Sequence, residues 1–227
     1  MKKEPGKLHI VATPIGNLED ITYRAIRTLK EVDFVLCEDT RVTKKLLDRY
    51  EIIKPTISYH HHSGKTKVDR LLELLKDGKN LALVTDAGTP GISDPGNELV
   101  RAVLEGLGQK AEIIPIPGPS ALGALISVSG INMQTFTFMG YPPHKKGRET
   151  YFKKILESKI PVIYYESPYR VIKNLELLKK FTDKRVIVGR ELTKIFEEVV
   201  RGNIDEILKY FDDNKDKIKG EFVIIIH

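Results

Sequence analysis

Leu83-Val84-Thr85-Asp86-Ala87-Gly88-Thr89-Pro90-Gly91-Ile92-Ser93-Asp94-Pro95-Gly96 is the stretch on which the reading of this chain turns. An apolar run stops abruptly in a loop of Gly, Pro, Asp and small hydroxyl residues. The pattern predicts a buried strand over 81–84 and a helix over 96–105, with Asp94 as its N-cap and Pro95 in its first turn. The loop would then join the C-terminal end of a strand to the N-terminus of a helix. In an open α/β sheet that edge turns backbone N–H groups and the positive end of the helix toward a ligand. Glycines let the main chain approach a ligand closely, and prolines hold it still. An isolated Gly/Pro loop is more often a plain connection; the length of this one, with its carboxylates and hydroxyls, favours a site.

Outward from that loop, strand-like and helix-like segments alternate. Strands are expected over 8–12, 32–37, 56–59 and 112–116, and helices over 23–30, 41–49 and 67–76. The last of these carries Val68, Leu71, Leu72 and Leu75 on one face. Such alternation implies a mainly parallel sheet covered by helices. Pro115, Pro117, Gly118 and Pro119 then fall within five residues and cannot continue a helix or an interior strand. A boundary is placed there, between an N-terminal α/β domain over 1–117 that carries the Gly/Pro loop and a C-terminal α/β domain over 118–227. The C-terminal half is richer in strands, over 136–139, 161–165, 185–189, 197–201 and 221–226, with helices over 148–157, 169–180 and 204–211. Its strands need not all be parallel, so a mixed sheet is expected.

At 227 residues the chain can bury a sizeable core in one large domain or two. Hydrophobic residues at 41% and charged residues at 30% are those of an ordinary soluble protein. No apolar run approaches the roughly 18 residues of a membrane span, and the polar start leads into no signal-peptide core. A cytoplasmic protein is expected. Cys37 is the only cysteine, so no internal disulfide can form, and its apolar neighbours suit a small buried side chain. The net charge of +6 permits an anionic partner such as RNA without requiring one.

Glu38, Asp39 and Arg41 follow the apolar run 34–37 and should project from a strand end beside the ligand loop. A carboxylate there can accept a proton, and Arg41 can hold a phosphate or orient the carboxylate; equally, Asp39 can simply cap the next helix and pair with Arg41. Of His60, His61 and His62, at most the first and third can converge from one strand face. Two ligands without a third do not argue for a metal, and none is expected. Tyr141-Pro142-Pro143-His144-Lys145-Lys146-Gly147-Arg148 sets an aromatic and a rigid turn ahead of three cations. That combination suits RNA, with Lys145, Lys146 and Arg148 on phosphates and Tyr141 stacked on a base, although a solvated basic loop has the same composition. Arg170, behind Ser167 as a cap and Pro168 as a helix start, is placed to point into a cleft and is a further RNA-binding candidate.

Five motifs carry a family resemblance: Ala12-Thr13-Pro14-Ile15-Gly16-Asn17-Leu18-Glu19-Asp20, Cys37-Glu38-Asp39-Thr40-Arg41, the 86–96 loop, Pro117-Gly118-Pro119-Ser120-Ala121, and Tyr165-Glu166-Ser167-Pro168-Tyr169-Arg170. Their order and spacing resemble the ribosomal RNA small subunit methyltransferase I family, itself similar to the tetrapyrrole methylases, over nearly the whole chain. The resemblance implies two α/β domains of the tetrapyrrole-methylase type with a cofactor cleft between them, usually as a homodimer. It implies S-adenosylmethionine as methyl donor and, as acceptor, the ribose 2′-hydroxyl of a cytidine in the decoding region of 16S rRNA, free or in the small ribosomal subunit. By the same resemblance, Pro14, Ile15, Gly16 and Asn17 form a first glycine turn against the cofactor. Asp86, Ala87, Gly88, Thr89, Gly91 and Ile92 wrap its methionine and ribose parts, with Thr89 where tetrapyrrole methylases more often have Asp. Ser120 and Ala121 contact it from the interdomain segment, Tyr165 from a strand end of the second domain, and Glu221 and Phe222 near the adenine. His60 becomes a reserve candidate for base or substrate contact.

The chain departs from the family pattern in places. His60-His61-His62-Ser63 stands for His-x-His-Asn, Gly140-Tyr141-Pro142-Pro143 for Gly-Phe-Leu-Pro, and Ser167-Pro168-Tyr169-Arg170 for Ser-Pro-His-Arg. Many members also continue into a small C-terminal extension. A ribose hydroxyl has a pKa far above neutrality, so methylating it needs in-line positioning together with a base or a cation for the developing alkoxide. Two other readings stand beside this one: a methyltransferase of the same fold acting on a small molecule such as a tetrapyrrole, and an RNA-binding module without catalysis.

Overall fold

Short apolar runs bounded by turn residues become the strands, and Leu81–Leu83 and Phe222–Ile226 are buried along their whole length. The computed structural model describes residues 4–60, 63–182 and 184–227, and the chain divides into two units, Met1–Ser120 and Ala121–His227. In the first unit, β1 (Leu8–Val11), β2 (Phe34–Cys37), β3 (Thr56–Ser58), β4 (Leu81–Leu83) and β5 (Ile113–Ile116) form one sheet in the order β3-β2-β4-β1-β5. Every pairing in it is parallel.

Side-chain alternation divides the core between the two faces of this sheet. Ala82, Val84, Val35 and Cys37 pack with Ala25 and Leu29 of α1 (Tyr23–Glu31) and Leu46 and Leu47 of α2 (Thr40–Arg49). Leu81, Leu83 and Leu36 pack with Leu71 and Leu75 of α3 (Lys65–Lys76) and Leu99 and Val103 of α4 (Asn97–Leu107). Strands β1 and β4 are neighbours, yet β1 leads to α1 on one face and β4 to α4 on the other. Their outgoing loops part at the carboxyl edge, which is where an open α/β sheet leaves a crevice for a ligand. Cys37 is fully buried in this unit, and burial pushes its thiol pKa up.

The start of α4 differs from the expected one. Asp94 and Pro95 lie ahead of the helix, and Gly96 takes the cap position with φ of 150°, a conformation open to glycine. The Asn97 side-chain amide turns back and donates to the Gly91 carbonyl at 3.2 Å. The loop therefore runs two residues further than the Asp-Pro pair suggests.

The second unit opens with α5 (Ala121–Val128) and builds a mixed sheet, β6-β7-β10-β8-β9, from Thr137–Phe138, Val162–Glu166, Phe222–Ile226, Arg185–Arg190 and Glu198–Asn203. Only β6 and β7 are parallel; the other pairings are antiparallel. One face is covered by α6 (Arg148–Glu157), α7 (Val171–Lys179) and α8 (Ile204–Asp213), through Phe152, Ile155, Leu175, Leu178, Ile207 and Phe211 packed on Tyr164, Val188, Phe222 and Ile224. On the opposite face, Leu125 of α5 lies over Gly189, where a Cβ would come within 2.8 Å of it. Helix α7 also begins later than expected. The Ser167 carbonyl, and not its hydroxyl, receives the N–H groups of Arg170 and Val171, at 3.1 and 3.0 Å. Among the described residues no helix is long and apolar enough to cross a membrane.

Asn203 and Glu206 form a reciprocal capping box at the start of α8, with bonds of 2.9 and 2.8 Å. Loss of such a cap costs about 1 kcal/mol. Asn203→Ala should lower the urea midpoint accordingly at unchanged slope, and an unmoved midpoint would mean that the first turn of α8 is held by packing alone.

Candidate loop cluster at the carboxyl edge

Four connections leave the carboxyl ends of β1, β2, β4 and β5, and hydrogen bonds join them. After β1, Thr13 exchanges two backbone bonds with Gly88 in the loop after β4: Thr13 N–H donates to Gly88 at 2.8 Å, and Gly88 N–H returns at 3.0 Å. The Thr13 hydroxyl adds a bond to the Thr85 carbonyl at 3.0 Å. The β4 loop then reaches both ways. Thr89 Oγ1 donates to the Pro119 carbonyl at 3.1 Å, and Asp86 Oδ1 accepts from the Asp39 backbone N–H at 3.1 Å. Gly88 and Gly91 hold φ of 84° and 86°, and Ser93 holds 63°, so the loop follows a path that favours glycine. Pro14 and Ile15 are buried behind this knot, while Gly16 and Asn17 are exposed. The Asn17 side chain caps the single turn at Leu18–Asp20 by accepting from Glu19 N–H.

Beside the knot is a cavity of about 210 Å³ within the first unit, with walls from Pro14, Leu18, Val42 and Leu46 and polar groups from Thr13, Thr43, Thr85 and Asp86. The Thr85 hydroxyl is buried with no hydrogen-bond partner among the described residues. Buried polar atoms are nearly always satisfied, so an orphan hydroxyl at a cavity marks a place for a ligand or water to complete. The Thr43 hydroxyl is the second such atom, with the Cys37 thiol beside it.

The two carboxylates after β2 have different surroundings. Asp39 is the N-cap of α2, accepting from Arg41 N–H at 2.8 Å, and its two oxygens take the Arg41 side chain at 3.1 Å (Nε) and 2.7 Å (Nη2). The Arg41 guanidinium, then its backbone N–H, holds the Asp39 carboxyl at a pKa of about 2. So weak a base is a poor proton acceptor near neutrality. This leaves Glu38, half-buried at the end of β2, as the better candidate of the pair. His60 follows β3 in a turn where its N–H donates to Ser63 Oγ at 3.0 Å; His61 and His62 lie outside the described residues.

In the second unit, Tyr165 of β7 meets Phe138 and Tyr141 edge-on, with ring centroids at 4.9 and 5.5 Å. Tyr141 is half exposed, and the exposed Lys145 and Lys146 follow it, with Arg148 half-buried at the start of α6. Phe222 is buried against Phe211, so what this strand end can offer a ligand is main chain. Glu221 is paired with Lys194 at 3.0 Å. Arg170, expected at RNA, is turned inward. It pairs with the buried Glu166 at 3.1 Å and donates to the Pro142 carbonyl at 2.9 Å. Ser120 closes the first unit and Ala121 opens α5. Sequence reasoning did not single out Thr13, Thr43, Thr85 or Glu166. The three threonines follow no spacing rule, and only a position just past a strand end or in the first turn of a helix hints at them.

An all-parallel unit followed by a mixed-sheet unit, with glycine-bearing loops knotted at the carboxyl edge, defines the tetrapyrrole-methylase class of α/β architecture. Residues 7–208 match the model of the tetrapyrrole (corrin/porphyrin) methylases, and the chain belongs to that family of methyltransferases. It is 44% identical to ribosomal RNA small subunit methyltransferase I of Halalkalibacterium halodurans, over 99% of this chain and 77% of that one. The protein of that name from Thermotoga maritima is 43% identical over 97% of this chain and 98% of its own length. Among solved structures, diphthine synthase matches with a TM-score of 0.74 at 15% identity, covering 97% of this chain and 89% of that one. A cobalt precorrin-4 methyltransferase matches with a TM-score of 0.68 at 18% identity, covering 97% and 94%. These two likenesses show the fold.

The Asp39 pKa lies below the ordinary 3.8, so its pair with Arg41 is complete above that value and is lost as pH falls through about 2. A carboxyl NMR titration of Asp39 should therefore have its midpoint near 2. A midpoint at the ordinary value would mean that the pair does not form in solution.

Proposed function

We propose that this protein transfers a methyl from S-adenosylmethionine to the ribose 2′-hydroxyl of a cytidine in the decoding region of 16S rRNA, acting in the cytoplasm as a homodimer on the RNA or the small ribosomal subunit. The observation that carries this reading is the likeness, at 42–44% identity over 99% of this chain, to proteins named ribosomal RNA small subunit methyltransferase I. The exposed Lys145 and Lys146 supply the cationic surface that an RNA backbone requires.

The residues present fit the cofactor. Gly88 holds φ of 84° with its Cα turned against Ile15 and the Pro119 carbonyl, 3.4 and 3.8 Å from where a Cβ would lie, so its place in the loop is one for glycine. The orphan Thr85 hydroxyl and the Asp86 carboxylate border the adjoining cavity and match the hydroxyl and amino groups of such a molecule. S-adenosylmethionine, when bound, supplies an electrophilic methyl on a sulfonium. Pro14, Ile15, Gly16, Asn17 and the segment 86–92 would hold it, chiefly by main chain.

The chain's own part in the reaction is proton handling and alignment. Glu38 accepts the 2′-proton as the oxygen attacks, and Asp39 fixes the direction of α2 and of Arg41, which faces a phosphate. Alignment of the ribose falls to the loop cluster, which its own hydrogen bonds cross-link. His60 stands in reserve for substrate contact.

Small ribosomal subunits from cells lacking this protein, incubated with labelled S-adenosylmethionine, should gain one 2′-O-methylcytidine in the decoding region. No transfer despite cofactor binding would overturn the substrate. Glu38→Gln should lower kcat by about 10²-fold or more at unchanged cofactor Kd. Gly88→Val should abolish cofactor binding measured by calorimetry, because a β-branched side chain at φ of 84° is strained and crowds Ile15 and the Pro119 carbonyl, which shifts the loop. Equal loss of cofactor binding in both variants would remove Glu38 from the chemistry.

A further inference from the structure

The segment between β6 and α6 carries the basic tip, and it contains two consecutive prolines, Pro142 and Pro143, which have no N–H to donate. Pro142 and Pro143 can therefore hydrogen-bond to the rest of the protein only through their carbonyls. The Gly140 carbonyl accepts from Tyr165 N–H at 3.0 Å and from the Tyr151 hydroxyl at 3.2 Å. The Pro142 carbonyl accepts from Arg170 Nη1 at 2.9 Å. Beyond it the chain runs through the exposed residues 144–146 to Gly147, at φ of 85°, and into α6.

The arginine that makes this bond is itself fixed on every side. Its Nη2 pairs with Glu166 Oε1 at 3.1 Å and its Nε donates to Ser167 Oγ at 3.1 Å. Glu166 has no exposed side-chain surface, and its oxygens are further held by Ser167 N–H at 2.7 Å and by the Asn174 amide. A buried ion pair costs desolvation and is often no more stabilising than apolar packing of the same volume. What it supplies is direction: a planar guanidinium clamped in one orientation, with one N–H aimed at one carbonyl.

We propose that Arg170 is a positioning residue for RNA recognition: clamped by Glu166 and Ser167, it fixes the Pro142 carbonyl and so holds Lys145 and Lys146 where they meet the RNA backbone. Arg170 itself touches no RNA. This rests on the rRNA reading above, and it assigns the Ser167–Arg170 motif to the shape of the basic tip. A phosphate-contacting arginine could be replaced by lysine at modest cost, whereas a lysine cannot make the fork to Glu166, Ser167 and Pro142 together.

The test is a double-mutant cycle on the full-length protein, with a decoding-region RNA hairpin as probe at fixed salt. Arg170→Gln and Arg170→Lys should each weaken RNA binding about tenfold in the wild-type background. In a Lys145→Ala/Lys146→Ala background the same changes should have less than about a twofold effect, because the groups they position are gone. Full additivity, or wild-type affinity in Arg170→Lys, would overturn the proposal. Trypsin under native conditions gives a readout without RNA: cleavage after Lys145 and Lys146 should speed up about tenfold in Arg170→Gln at unchanged cofactor affinity, because local opening is easier. An unchanged cleavage rate would also overturn it. A wild-type protein that binds no hairpin, yet whose Arg170→Gln variant shows the faster cleavage, would sink the rRNA reading and leave the anchoring role standing.

Discussion

The two backbone hydrogen bonds between Thr13 and Gly88 hold together an edge that the topology would otherwise open. Strands β1 and β4 lie side by side, but their chains depart to opposite faces of the sheet, so the loops above them have no ladder to follow. The Thr13–Gly88 exchange extends pairing past the strand ends. From that fixed point the loop reaches Asp39 through Asp86 and Pro119 through Thr89. Each bond contributes only about 1 kcal/mol net to stability. Their larger effect is preorganisation: four loops with no strand contacts of their own share one geometry before any ligand arrives.

Charged residues around this edge are used to set direction. Asp39 caps α2 and grips Arg41, which drives its pKa down and takes it out of contention as a base. Glu166 does the equivalent in the second unit by clamping Arg170 against the Pro142 carbonyl. In both places a carboxylate and an arginine, near in sequence, are paired; Arg41 stays exposed, whereas Arg170 is half-buried and reaches a loop carbonyl.

Much of this architecture was legible in the chain. The short apolar runs bounded by turn residues located each strand among the described residues. The Gly/Pro loop pointed, through its glycines and polar residues at a strand end, to the carboxyl edge where the Thr13–Gly88 bonds and the cavity lie. Helix α5 escaped, since Ala121–Val128 is apolar nearly all round and so carries no helical period. The starts of α4 and α7 were misjudged for a common reason. Asp94-Pro95 and Ser167-Pro168 have the composition of caps, but Gly96 and the Ser167 carbonyl do the capping. Arg170 read as a cleft-facing candidate for RNA because nothing local reveals that Glu166 and Pro142 converge on it; that convergence is tertiary.

The order of strands in the second unit has a consequence for how the chain is made. Strand β10 lies between β7 and β8, pairs with both, and is apolar throughout. It is also translated after both, so until it emerges from the ribosome β7 and β8 each present an open edge with no neighbour to close it. The first unit needs nothing beyond β5 and can fold while the rest is being synthesised. Exposure to misassociation therefore concentrates in the interval between β8 and β10, which makes the arrival of five residues, Phe222–Ile226, the event that commits the second half of the protein to its native state.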